Sequence, residues 1–285
     1  LDKARSKGLE GDGFDKLEKK LSQNWPVDSK QTNKEILGKA KNLLEDGKYD
    51  DAINLLSNQT KQLPKDPNIL SLLSQCYILN NNLEQAKIYL EAAKDINPSI
   101  ASVGWNETRL LLKQKKVSEA LAVAGKTHTL FPDDVEGVCI LGSCLRANGN
   151  FNESLKYLNR AIELNPNYAE ALIHRGLIYL TNKDTANAQI DLEKAHRLKP
   201  HVKQIWKLVL NLKIQAKEYQ EAISLAEEMV KLEPLDEKYF ATIAICYQQL
   251  NNFDKTVVFY KKAISLKPDY AEAHYNMAYA LQNQG

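Results

Sequence analysis

Seven of the nine prolines in this 285-residue chain, Pro64, Pro98, Pro132, Pro166, Pro200, Pro234 and Pro268, stand 34 residues apart without a break. Proline fixes φ, lacks an N–H and clashes with the preceding turn, so it stops helices. Stops at so constant an interval mark one structural element copied along the chain. Counting back from each proline frames seven repeats, 33–66, 67–100, 101–134, 135–168, 169–202, 203–236 and 237–270, with 271–285 as the start of an eighth. Apolar residues recur within them at three- and four-residue spacing, the helical period. In 135–168, Val138, Leu141, Gly142 and Leu145 share a face of one helix. Asn148-Gly149-Asn150 then reads as a turn, and Ser154, Leu155, Leu158, Ala161 and Ile162 share a face of a second helix that Pro166 ends.

This pattern resembles the tetratricopeptide repeat, a helix–turn–helix of 34 residues with small side chains where its two helices cross. Position twenty of the repeat is Ala52, Ala86, Ala120, Ala188 and Ala222, with Ser154 and Thr256 in the other two copies. Position eight is Ala40, Ser74, Thr108, Gly142, Gly176, Ala244 and Ala278, and once the bulky Leu210, which predicts a wider crossing there. The resemblance covers 33–285 and implies an all-α fold, a right-handed α-solenoid in which neighbouring pairs bury each other's apolar faces. First helices are then expected to line a concave groove and second helices to form the outer wall.

Composition agrees with a binding role. Thirty-eight basic against 36 acidic residues leave a formal charge of +2, without the surplus that nucleic-acid binding needs. No apolar run approaches the roughly 18–20 residues of a membrane span, and the start of the chain has no apolar signal region. The chain begins at Leu1 instead of a methionine, which points to a processed form or a fragment. Four cysteines, with no Cys-x-x-Cys pair, suit a reducing, cytoplasmic setting. Cys76, Cys144 and Cys246 share position ten inside first helices and read as core; Cys139 reads as the most reactive thiol. The sequence has no phosphate-binding glycine loop, and its five histidines lack metal-ligand spacing. Nothing nominates a catalytic dyad, a metal or a cofactor, so no enzymatic activity is expected of this chain.

In the family it resembles, partners are held by first-helix positions two, five, six, nine, twelve and thirteen. Those positions supply Trp105, Asn106 and Arg109 from the third repeat, Cys139, Ile140 and Arg146 from the fourth, Ile173 and His174 from the fifth, and Lys207 and Asn211 from the sixth. An apolar and basic mixture predicts a protein or peptide partner with apolar and acidic residues. The family's carboxylate clamp for chaperone tails starts well at Lys207 and Asn211 but fails at Thr242, Glu272 and Asn276. An asparagine ladder at position six, the mark of glycosyltransferase-type superhelices, is reduced to Asn106 and Asn276.

Three places are irregular. Gly104 stands where a large residue normally packs, with Trp105 one place later, so the third repeat is either repacked or kinked to present Trp105 to a ligand. Residues 1–32 lie outside the repeats. Phe14, Leu17 and Leu21, extended by Trp25, form a stripe ended by Pro26 that reads as a capping helix over the first repeat or as a docking segment for another chain. The partial repeat 271–285 leaves Met277, Ala278 and Leu281 without their usual cover, so the chain either continues or meets another molecule there. Both ends are therefore candidate surfaces for self-association. The sequence reads as a non-catalytic interaction scaffold. The alternatives are a substrate-recruiting or oligomerising arm of a larger enzyme of glycosyl- or sulfotransferase type, and a structural subunit of a multiprotein assembly.

Overall fold

The computed structural model describes residues 29–62, 66–200 and 202–284. Two compact bodies, Leu1–Leu110 and Leu111–Gly285, divide the chain. The first holds α1 (Ser29–Glu45), α2 (Tyr49–Gln62), α3 (Pro67–Leu79), α4 (Leu83–Ile96) and most of α5 (Ala101–Lys113). The second holds α6 (Val117–Leu130), α7 (Val135–Ala147), α8 (Phe151–Leu164), α9 (Ala169–Thr181) and α10 (Thr185–Leu198). It continues through α11 (Lys203–Gln215), α12 (Tyr219–Leu232), α13 (Glu237–Gln249), α14 (Phe253–Leu266) and α15 (Ala271–Gln282). No strand occurs among the described residues. The fold is all-α, a right-handed α-solenoid of helix–turn–helix repeats. The stripe at Phe14, Leu17 and Leu21 lies outside the described residues.

The proline interval is the interval of the helices. From α3 onward, first helices begin 34 residues apart, and so do second helices from α2. Each second helix stops two residues before its proline, because a residue preceding proline is pushed out of the helical region. The turn inside each repeat is equally regular. Position fifteen has positive φ in all seven copies: Gly47, Asn81, Lys115, Gly149, Lys183, Lys217 and Asn251. One left-handed residue lets the next N–H reach back to the helix carbonyl five residues earlier, as Lys48 N donates to Leu43 O (2.8 Å) and Glu218 N to Lys213 O (2.9 Å). Side-chain caps at Asp66, Asn82, Asp184, Asp236 and Asn252 satisfy further N–H groups at helix starts.

Close helix crossings explain the small residues. All seven side chains at position twenty are fully buried. A Cβ added at Gly142 would stand 2.9 Å from Leu158 Cγ, and one at Gly176 2.8 Å from Leu192 Cγ, so these crossings admit no side chain. The departures from alanine are also accounted for. Ser74 donates its hydroxyl to the carbonyl of Ala86 (2.8 Å), and Ser154 to that of Gly142 (2.6 Å). Each ties one helix of a pair to the other and leaves no buried hydroxyl unpaired. At Leu210 the outcome follows the expectation: α11 and α12 lie close together over fewer residues than α9 and α10 or α13 and α14.

Both bodies have cores shared between repeats. In the first, Ala40, Leu56, Ile69, Leu73 and Cys76 form one cluster, and Ile78, Ala86, Leu90 and Val103 another. In the second, the largest cluster runs from Leu172 on α9 through Trp206 and Leu212 on α11 to Ile243 on α13. No described helix is long and apolar enough to cross a membrane.

Candidate functional site

Candidate partner-contacting side chains must be reachable, and the structure sorts them by that test. Trp105 is 1% exposed, so the reading in which a kink presents it to a ligand is corrected. The helix α5 is continuous from Ala101 to Lys113, and moving the large side chain from position four to five keeps it on the buried side. Asn106 is fully buried as well. Its Nδ2 donates to the carbonyl of Ser71 (2.8 Å) and to Ser71 Oγ (3.0 Å), and its Oδ1 accepts from Arg109 Nη1 (3.1 Å). Ser71 Oγ donates in turn to Ser102 Oγ (2.9 Å). Asn106 thus joins α3 to α5, and Arg109 is half-buried over that network.

In the fourth repeat, Cys139 and Ile140 are buried, and the surface role expected for them is corrected likewise. Cys139 clusters with Leu158 and Ala161 of α8 and with Ala171 and Ile178 of α9. First helices of successive repeats pack on one another here, and short apolar side chains fill the seam. The same burial removes Cys139 as an accessible thiol. Burial also pushes the thiol of Cys76 up to about 12 and that of Cys246 up to about 11, far from the reactive thiolate range.

The remaining residues stay within reach. Arg146 closes the last turn of α7, half-buried, and His174 sits half-buried on α9 within range of its charge. Burial, reinforced by Arg146, lowers the His174 imidazole to about 4, so it is neutral at physiological pH. Ile173 is half-buried on the same helix. Lys207 and Asn211 are exposed one turn apart on α11, Lys207 Nζ lying 6.0 Å from the centre of the Tyr239 ring. The structure therefore sets Arg146 on α7 within electrostatic range of His174 on α9 and leaves Lys207 and Asn211 displayed on α11.

Other residues escaped the sequence reading. Positions five and nine of the partial repeat are Tyr275 and Tyr279, exposed to 75% and 48%. They match Ile173 and Leu177, and Lys207 and Asn211, in register, so the same position rule pointed to them. A two-pronged ion pair was also missed. Arg175 Nε and Nη2 donate to the two oxygens of buried Asp191 (2.7 and 2.8 Å), and its Nη1 donates to Asn159 Oδ1 (2.8 Å). An aspartate between Ala188 and Leu192 on a core-facing stripe was the available signal. Lys213 is held between Glu193 (2.8 Å) and Glu218 (3.0 Å). Burial works against the charge of Glu193, but hydrogen bonds from Lys213 and Gln189 prevail and hold its pKa below the usual value.

Known proteins share this repeat. Family profiles described as tetratricopeptide repeat match residues 43–102 and 169–201, and one described as TPR repeat matches 142–183 and 246–285. The chain belongs to the tetratricopeptide repeat family. It is 22% identical over 247 residues to anaphase-promoting complex subunit 3 of Schizosaccharomyces pombe, covering 86% of this chain and 37% of that protein. A shorter stretch of 93 residues is 37% identical to a UDP-N-acetylglucosamine–peptide N-acetylglucosaminyltransferase of Giardia intestinalis, covering 32% of this chain and 6% of that one. Among solved structures, the APC/C hetero-tetramer Cut9–Hcn1 superposes with a TM-score of 0.62 at 17% identity, covering 85% of this chain and 48% of the other. The chain thus spans less than half the length of these proteins. The tetratricopeptide architecture is that of a repeat scaffold.

Proposed function

We propose that this tetratricopeptide chain is a non-catalytic scaffold that holds a peptide or protein partner on the face formed by its first helices, as part of a multiprotein assembly. One observation carries the reading. At positions five and nine, α9, α11 and α15 turn Ile173 and Leu177, Lys207 and Asn211, and Tyr275 and Tyr279 to solvent or half-expose them. These side chains mix aliphatic, basic and aromatic character in one register. Such a surface suits an extended or helical segment lying across several repeats, whereas chemistry on a small molecule calls for convergent groups in a closed pocket. Similarity to subunits named for the anaphase-promoting complex supports the assembly context.

The match to the glycosyltransferase from Giardia favours a second reading, in which the same face recruits substrates for a catalytic domain carried elsewhere. Both readings place the partner on first helices, so one experiment tests them together. A photo-crosslinking amino acid at Asn211 or Tyr275 should yield partner adducts in cells, and one at Glu228 on the second helix α12 should not. Adducts from Glu228 alone would overturn the assignment of the face.

A further inference from the structure

Among the described half-buried cations of the second body, Arg146 and Lys194 have no paired carboxylate, and of these Arg146 has a buried nitrogen without a hydrogen-bond partner. Arg175 is matched by Asp191, Lys213 by Glu193 and Glu218, and Lys199 by Glu170. Among the described residues no carboxylate pairs with Arg146, and its Nε is buried without a hydrogen-bond partner. Burial acts against its charge. The neighbouring His174 likewise has a buried Nδ1 with no partner. A half-buried guanidinium near an imidazole is costly for a free protein when a nitrogen of each, Arg146 Nε and His174 Nδ1, loses water and gains no hydrogen bond in return. The end of α7 offers Arg146 only the modest help of a helix C-terminus.

We propose that Arg146 and His174 form a receptor for one carboxylate of the partner, an Asp or Glu side chain, with Ile173 and Leu177 seating an apolar residue next to it. The inference rests on the first-helix face proposed above and gives that face a ligand chemistry. A guanidinium binds both oxygens of a carboxylate through parallel N–H donors, and a neutral imidazole adds one further N–H. One cation next to a neutral ring matches a monoanion; a phosphate dianion would leave a charge unanswered. The sites lie at positions twelve and six of successive repeats, away from the residues that failed the clamp comparison.

The test uses the full chain with isotope-labelled histidine rings and Ile and Leu methyl groups. The probes are acetyl-Leu-Glu-Leu-amide and its glutamine twin. The Glu peptide should shift the His174, Ile173 and Leu177 resonances saturably, and the Gln twin should bind about tenfold more weakly or worse. Arg146→Gln should abolish the preference for Glu and leave the Tm of the free protein unchanged or higher, since it removes an unanswered charge. Arg146→Lys should retain part of the preference, which a purely structural role would not produce. Equal binding of the two peptides, no shift with either, or a lowered Tm in Arg146→Gln would overturn the receptor. If those results came with intact crosslinking from Asn211 and Tyr275, the face would stand and only its carboxylate site would fall.

Discussion

Position fifteen of each repeat requires a left-handed backbone, and only Gly47 and Gly149 supply a residue free of a Cβ there. Lys115, Lys183 and Lys217 hold φ near +62° at a cost of about 1 kcal/mol each, because the Cβ of an L-residue crowds the adjoining carbonyl. Lys183→Gly is therefore expected to stabilise the protein by about 0.5–1 kcal/mol, and Gly149→Ala to destabilise it by a similar amount. Urea unfolding of the two variants checks both signs. The turn was legible in the sequence at Asn148-Gly149-Asn150, where the residues advertise it. At Lys183 and Lys217 the side chain gives no such sign, and only the repeat register places the turn. Trp105 teaches the reverse lesson. Its position number pointed to the surface, but a tryptophan has too much apolar area to leave in water when a one-step shift of register buries it.

At the scale of helices, pairs are fastened where small residues let backbones close up, and neighbouring pairs are fastened by polar links that no local pattern announces. Arg175 joins α8, α9 and α10 through Asn159 and Asp191. Asp191→Ala would leave a guanidinium with a 22% exposed side chain short of its counter-charge and is expected to cost about 3 kcal/mol. The measurement is urea unfolding, with Asp133→Ala as the control, since Asp133 and Arg160 form an exposed pair worth about 0–1 kcal/mol. The small residues at positions eight and twenty were readable in advance because helix geometry alone requires them. The partner of Arg175 was not, because it lies sixteen residues away and depends on how successive helices are rotated against one another.

For the molecule as a whole, cores shared between adjacent repeats make stability a matter of neighbours. An interior helix of the second body is covered on both sides, whereas α15 rests on α14 and leaves Tyr275, Tyr279 and Leu281 in solvent. Amide exchange should accordingly be slowest in α7 to α10 and faster by about two orders of magnitude or more in α15. Equal protection along the second body would refute this picture of neighbour-dependent stability. The sequence by itself determined the repeat, its two helices, their stops and the small residues at their crossings, since all of these follow from spacings within one 34-residue copy. The tertiary structure decided which side chains the solvent meets. Trp105, Asn106 and Cys139 share position numbers with exposed residues, but the seams between successive helices take up groups that fit and leave out those that do not.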